Sequence, residues 1–227
     1  MGHEINNPLE SLLSLLYLID QDSTLTEKGR RYLALAREEA GRISQISHAA
    51  MDEFRNTAGP EDTNVPELLR SVLDFYRSRF ESRGISVSTR YCPDEYLSGY
   101  PRELRRMFSN LLLNAADAMP EGGRMHARIS VVHEWRDYYP RRGLRLTVAD
   151  SGSGIAAKDL PGILDHPFFT TKGSAGTGIG LALVKSIVQK HDGLLRVRSS
   201  TKPGRSGSVF TVFLPADEDA VHVNKSL

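Results

Sequence analysis

A chain of 227 residues is long enough for two modules, since single domains usually span about 100–200 residues. The sequence has 29 basic and 28 acidic side chains, and this formal net charge of +1 gives no overall field that would attract nucleic acid or an anionic membrane. The single cysteine, Cys92, excludes an internal disulfide, and no apolar run approaches the roughly 18 residues that span a bilayer, so we expect a cytoplasmic protein with no membrane contact of its own.

Two amphipathic helices are predicted in residues 1–55. Apolar residues recur at spacings of three and four from Ile5 to Ile19, and again from Leu33 to Phe54, with a polar turn between the two runs. The predicted helices form a hairpin, which is too thin to bury both apolar stripes. Pairing with a second copy would make a four-helix bundle, so we expect a homodimer.

A second domain is predicted at residues 63–216, after a polar linker at 56–62 and before a polar tail at 217–227. Asn64 has the form of a helix N-cap, with Pro66 in the first turn and Glu67 at the capping-box position. We expect an α+β domain with a mixed sheet and three helices. The helices are predicted at Asn64–Arg83, Pro101–Met119 and Ile179–His191, and the strands at Ile85–Tyr91, Met125–Trp135, Leu144–Asp150, Leu194–Ser200 and Ser208–Leu214.

Two connections have their own interpretation. Residues 138–143 are predicted to be a loop between two strands, because they contain Pro140 and Gly143. The stretch from Ile155 to Gly176 has a length and glycine content that favour a mobile lid over a packed element.

The glycine run Gly176-Thr177-Gly178-Ile179-Gly180-Leu181 precedes and opens a predicted helix. Glycine lets a backbone approach a ligand closely, and helix N-termini bind phosphate well. The run is neither a P-loop, since no Gly-Lys-Ser/Thr ends it, nor a dinucleotide fingerprint, since no strand immediately precedes it.

Three further groups of residues point to a nucleotide. Asn110 and Asn114 lie one helical turn apart and would offer amide oxygens to Mg²⁺, the alternative being a polar helix face. Asp150, before Gly152 and Gly154, could accept a hydrogen bond from an adenine amino group, the alternative being an Asx turn. In the lid, the aromatic pair Phe168 and Phe169 could act as a latch or belong to a core. Lys172 could meet phosphate, and Thr171 beside it is a further candidate for nucleotide binding.

His3 is the remaining candidate. It has Glu4 beside it and Asn7 one turn later. A neutral imidazole is a good nucleophile, and a neighbouring carboxylate can accept or orient its other ring proton. A solvated surface histidine is the ordinary alternative.

Taken in order, these motifs resemble the cytoplasmic core of a two-component sensor histidine kinase over nearly the whole chain. His3 to Pro8 resembles the phosphoacceptor box and Asn110 to Asp117 the N box. The glycine boxes and the F box are matched by Asp150–Gly154, Gly176–Gly180 and Pro167–Lys172.

The resemblance implies ATP-dependent phosphorylation of His3, with Glu4 as general base and Asn7 assisting dephosphorylation of a response regulator. It implies Asn114 as the Mg²⁺ ligand, Asn110 near the phosphates and Asp150 at adenine. It also implies transfer to an aspartate of a response-regulator receiver domain. Because only Met1 and Gly2 precede His3, we expect a piece of a longer protein whose sensor domain is absent.

Two other functions remain open at this point. A gyrase-like, chaperone-like or mismatch-repair ATPase would use the same pocket to gate conformation, although those relatives lack a His-Glu-x-x-Asn-Pro helix. A dimerising scaffold with a degenerate nucleotide domain is the other, and the intact glycine run argues against it.

Overall fold

The computed structural model of the chain describes residues 12, 16, 19, 25–36, 40, 59–91, 94–136, 139–165 and 179–216. The chain forms two compact units, one of Met1–Gly59 with His166–Ile179 and one of Pro60–Asp165 with Gly180–Leu227. The second unit begins inside the predicted linker, because Glu61 and Asp62 already pair with Gly99 and Ser98 in a sheet.

In the first unit, residues 27–36 are helical. Thr26 caps this segment, since its hydroxyl oxygen accepts a hydrogen bond from the Gly29 N–H at 3.1 Å. Leu33 and Ala40 are buried, as the apolar spacing of the predicted second helix requires. The rest of the predicted hairpin lies outside the described residues.

The second unit has an α+β architecture. Its helices are α1 (Val65–Ser82), α2 (Pro101–Asp117), α3 (Leu160–Asp165) and α4 (Ile179–Lys190). Its strands are β1 (Glu61–Asn64), β2 (Ile85–Arg90), β3 (Tyr96–Gly99), β4 (Gly123–Arg136), β5 (Tyr139–Asp150), β6 (Leu194–Ser200) and β7 (Gly207–Pro215).

Five strands form a mixed sheet in the order β2-β4-β5-β7-β6. β2 and β4 are parallel, and the other neighbours are antiparallel. β1 and β3 form a separate antiparallel pair, which the sequence analysis did not predict. The predicted mixed sheet is confirmed.

One face of this sheet packs against α1, α2 and α4 in a single hydrophobic core. Alternate strand residues such as Met125, Leu146 and Val212 point into it, and Leu111 and Val184 meet them from the helices. The opposite face of the sheet carries the intervening residues. We call it the outer face.

The local signals at α1 act as predicted. The Asn64 side chain accepts a hydrogen bond from the Glu67 N–H at 3.1 Å, so Asn64 is the N-cap. The helix ends before Gly84, whose φ of +66° allows the turn into β2.

One prediction about a connection is wrong, and a second is wrong for the described first part of its segment. β5 starts at Tyr139 and pairs with β4 from Arg136 onward, so most of the predicted loop at 138–143 is strand. Pro140 is tolerated there because it lies at the start of the strand. In the predicted lid, Ile155 and Ile163 pack against the core and α3 forms a short helix, so its first part is a packed element.

Candidate nucleotide site

Helices α2 and α4 approach each other closely where Asn110 and Asn114 meet Gly180. A Cβ atom placed on Gly180 would lie 2.7 Å from Asn110 Oδ1 and 3.8 Å from Asn114 Nδ2. The first of these distances is too short for a real side chain. A larger residue at this position would displace the Asn110 side chain or α4, and the approach brings two predicted motifs together.

The Asn110 amide is oriented by its own helix. Its Nδ2 donates to the Arg106 carbonyl at 2.8 Å, which directs Oδ1 toward Gly180. Asn110 and Asn114 are both half-buried, whereas Leu111, Leu112 and Ala115 between and beside them are fully buried. The helix thus buries one side in the core and presents both amides beside the first turn of α4.

Asp150 is held at the end of β5 by backbone donors. Its Oδ1 accepts hydrogen bonds from the Gly152 N–H at 2.9 Å and from the Ser208 N–H at 3.2 Å. The first is the predicted Asx turn, and the second comes from the paired residue of β7. The two donors fix the carboxylate in orientation, so the turn and a binding role are compatible.

The loop after Asp150 packs against the end of α2. A Cβ on Gly152 would lie 2.4 Å from the Ala118 carbonyl oxygen, and the Ser153 N–H donates to that same oxygen at 3.1 Å. The Ala118 N–H in turn donates to the Asn114 carbonyl. Asn114 and the Asp150 loop are therefore connected through one turn of backbone.

Gly154, on the other side of the loop, likewise leaves no space for a side chain. Its φ is +74°, and a Cβ there would lie 2.0 Å from the Ser200 carbonyl oxygen. Both glycines of the Asp150–Gly154 motif are thus required by close backbone contacts.

Some predicted site residues lie outside the described part of the chain: His3, Glu4, Asn7, Phe168, Phe169, Thr171, Lys172, Gly176, Thr177 and Gly178. Leu181 is described and packs half-buried against the core.

The described residues fit a nucleotide carrying a divalent ion. Amide oxygens are hard ligands suited to Mg²⁺, and a fixed carboxylate can accept from an exocyclic amine. The start of α4 adds the partial positive charge of a helix N-terminus, which favours phosphate.

A second polar cluster, at the other end of α2 and α4, is not evident from the sequence. Lys190 Nζ lies 2.6 Å from Glu103 Oε1 and 4.0 Å from the centre of the Tyr100 ring. The Tyr100 N–H donates to His191 Nε2 at 3.1 Å, and His191 Nδ1 lies 2.8 Å from the Ile187 carbonyl oxygen.

These contacts determine the form of His191. Nδ1 faces a carbonyl and must donate, while Nε2 faces an N–H and must accept, so the ring is the neutral Nδ1–H tautomer. Glu103 is buried, with a relative exposure of 6%, and Lys190 supplies its counter-charge. We call Tyr100, Glu103, Lys190 and His191 the anchor cluster. Its members come from segments 87 and 91 residues apart, so no spacing rule could have found it.

Comparison with known proteins agrees with this geometry. The model of the histidine kinase-, DNA gyrase B- and HSP90-like ATPase family matches residues 99–218. Sporulation kinase A of Bacillus subtilis (strain 168) is 29% identical over 222 residues, covering 95% of this chain and 33% of that protein. The sensory histidine kinase/phosphatase NtrB of Azospirillum brasilense is 34% identical over 230 residues, covering 97% of this chain and 55% of that protein.

Among solved structures, the mycobacterial sensor histidine kinase MprB matches with a TM-score of 0.58 at 29% identity, over 69% of this chain and 97% of that chain. The chain therefore belongs to the histidine kinase-, DNA gyrase B- and HSP90-like ATPase family. Within that family, the resemblance to the catalytic core of sensor histidine kinases is confirmed.

The chain spans about a third to a half of the length of the curated relatives described above. In the part of the chain that the structure describes, no helix combines the length and the hydropathy needed to cross a membrane.

Proposed function

We propose that this chain is the catalytic core of a sensor histidine kinase, which uses Mg-ATP to phosphorylate His3 and passes the phosphoryl group to an aspartate of a response-regulator receiver domain. The observation that best supports this is the approach of Gly180 to Asn110 and Asn114. It joins the N box to the second glycine box at a helix N-terminus.

The residues of the second unit would bind and orient the nucleotide. Asn114 would hold Mg²⁺ through its amide oxygen, and Asn110 would lie near the phosphates. Asp150 would accept a hydrogen bond from the adenine amino group, since backbone donors already fix its orientation. The metal, when bound, would neutralise charge on the phosphates.

The lid residues would complete the pocket. Phe168 and Phe169 would latch it, and Lys172 with Thr171 would meet the phosphates. The backbone of Gly176 to Gly180 would add N–H donors. Phosphoryl transfer needs mainly positioning and charge neutralisation, which are the contributions these groups can make.

The chemical step belongs to His3. Its imidazole nitrogen would form a bond to the terminal phosphorus while the bond from that phosphorus to the ADP oxygen breaks. Glu4 would accept the ring proton. The phosphohistidine would then donate its phosphoryl group to the receiver aspartate, and Asn7 would assist water when that aspartate is dephosphorylated.

We further propose that residues 1–55 pair with a second copy as a four-helix bundle, and that this chain is the cytoplasmic part of a longer parent protein, which supplies the sensor domain. The burial of Leu33 and Ala40 supports an amphipathic second helix. Light scattering at micromolar concentration tests the dimer, and a monomeric mass would contradict it.

Incubation with γ-labelled ATP tests the reaction. We expect an acid-labile, base-stable label on the protein that His3→Ala abolishes and that His133→Ala, at an exposed histidine of β4, leaves unchanged. Added receiver domain should remove the label. Free phosphate without labelled protein would favour a conformation-gating ATPase, and absence of nucleotide binding would favour a scaffold.

A further inference from the structure

The outer face of the five-stranded sheet is rich in arginine. Strand alternation and register place seven arginines with described side chains there, contributed by four strands. They are Arg90, Arg124, Arg128, Arg141, Arg145, Arg196 and Arg198. No helix of the described core covers them, and all except the half-buried Arg145 are exposed.

The charge on this face is segregated from the rest of the chain. The whole protein has a formal net charge of +1, yet Glu134 is the only carboxylate that the described strands place on the outer face. No lysine occurs in any of the five strands. The face is therefore strongly basic, and its basic character comes from guanidinium groups.

Arg90 and Arg128 lie side by side on β2 and β4, as direct partners in the register. Neighbouring strands are about 4.8 Å apart, and like charges directly opposite each other destabilise a sheet. Both side chains are exposed and neither forms an ion pair with the described residues. In the preceding row, Ser88 Oγ and His126 Nδ1 are 2.9 Å apart and add hydrogen-bonding groups.

Glu134 shows which ligand these arginines accept. Its Oε1 accepts from Arg145 at 2.7 Å, and its Oε2 accepts from Arg196 at 3.2 Å, so one carboxylate lies between guanidinium groups from two strands. The hydrogen bond from Arg145 is the main reason that the pKa of Glu134 is lowered. On this face, a carboxylate between arginines is a stable arrangement.

The choice of arginine distinguishes between polyanionic partners. An anionic membrane responds to the number of positive charges, for which lysine would serve equally well. A single-stranded nucleic acid needs exposed aromatic rings for stacking, and among the aromatic residues whose side chains the structure describes, the one on this face, Phe213, is buried. Guanidinium forks instead favour bidentate pairing with carboxylates.

We propose that the outer face docks an acidic segment of a partner protein, through carboxylate–guanidinium pairs centred on Arg90 and Arg128. The extended strands hold the guanidinium groups in rows, so aspartate and glutamate side chains along the partner can pair with several of them at once. Nucleotide binding and phosphoryl transfer play no part in this interaction.

A fluorescein-labelled deca-glutamate peptide, followed by anisotropy at low salt, is the probe. We expect Arg90→Gln/Arg128→Gln to weaken its binding about tenfold or more. The matched control is Arg79→Gln/Arg102→Gln, which removes the same charge from exposed positions on α1 and α2. We expect the control to change binding less than about twofold. Equal losses in the two variants would overturn the proposal, since they would indicate only a long-range charge effect.

The identity of the partner is tested with three further measurements. Arg90→Lys/Arg128→Lys keeps the charge but removes the planar forks, so we expect weaker peptide binding, and unchanged binding would overturn bidentate recognition. Phosphatidylserine vesicles and a single-stranded oligonucleotide should bind more weakly than the peptide. If either binds more tightly with the same dependence on Arg90 and Arg128, the partner is not an acidic protein. Unchanged ATP affinity in every variant shows that the fold is intact.

Discussion

Helices α2 and α4 run antiparallel, and the contacts at one end of the pair differ in kind from those at the other end. At one end, Gly180 has no side chain, so α4 lies directly against Asn110 and Asn114, which remain half-buried. At the other end, the anchor cluster joins the same two helices through an ion pair, a ring contact and a backbone-to-imidazole hydrogen bond.

The difference lies in where polar groups find their partners. In the anchor cluster, Lys190 neutralises Glu103 and His191 accepts from the Tyr100 backbone, so these contacts are made within the protein. Around Gly180, the amides face a helix N-terminus and have capacity for a ligand. The anchor cluster therefore positions α4 against α2, and the end at Gly180 leaves polar groups available to a ligand.

The largest effect is expected at Gly180. Gly180→Val places a branched side chain where even a Cβ would lie 2.7 Å from Asn110 Oδ1, so Asn110 or α4 must move. We expect ATP affinity to fall about thirtyfold or more, measured by calorimetry. Gly59→Val is the control, because a Cβ there meets nothing within 4 Å. Equal affinities for wild type and Gly180→Val would mean that the nucleotide lies elsewhere.

Asn114→Asp should have the next largest effect. The new carboxylate loses the amide donor and adds negative charge beside the phosphates, so we expect ATP-dependent labelling to slow about tenfold or to stop. Gln189→Glu makes the same chemical change at an exposed position of α4 and should leave labelling intact. Unchanged labelling in Asn114→Asp would remove this residue from the proposed metal site.

A smaller effect, of a different kind, is expected at the anchor cluster. Lys190→Met removes this ion pair from the buried Glu103, although the partial exposure of Lys190 limits the loss. We expect the free energy of unfolding to fall by about 1–2 kcal/mol, measured in urea, and ATP affinity to change less than about threefold. Lys202→Met, in the exposed turn between β6 and β7, is the control. A loss of ATP affinity as large as that of Gly180→Val would show that the two ends are not separable.

Glu134 lies on the sheet, away from both ends of the α2–α4 pair, and serves as a reference for the effect of an ion pair on stability alone. Its pKa is lowered from the ordinary 4.5, chiefly by the hydrogen bond from Arg145, so its contribution to stability is present above that value and is lost as the pH falls through the folded-state pKa. We expect Glu134→Gln to lower the free energy of unfolding by about 1 kcal/mol at neutral pH. ATP affinity should not change.

Urea unfolding as a function of pH checks this prediction. The difference between wild type and Glu134→Gln should shrink in acid, whereas Glu121→Gln, at an exposed turn residue, should show no such trend. A difference that stays constant with pH would contradict the ion-pair origin of the effect.

Local sequence signals predicted most of the second unit. Asn64 with Pro66 marked the start of α1, the apolar spacing predicted α2 and α4, and strand alternation predicted β6 and β7. These signals depend on neighbours within one or two turns, which the sequence displays directly. The order of the motifs along the chain predicted that Asn110, Asn114 and the glycine run belong to one site. The structure adds the contact at Gly180.

Other features depended on which segments pair or pack in the folded chain. Residues 139–143 extend β5 because β4 supplies hydrogen-bonding partners, and β1 forms because β3 lies beside it. The anchor cluster likewise arises when α2 and α4 pack together, and the outer arginine face when the strand order brings separate segments together. The sequence by itself determined α1, α2 and α4, the Asn64 cap and the motifs of the site. Only the tertiary structure decided which strands pair and which polar groups meet, because those contacts join residues with no regular spacing.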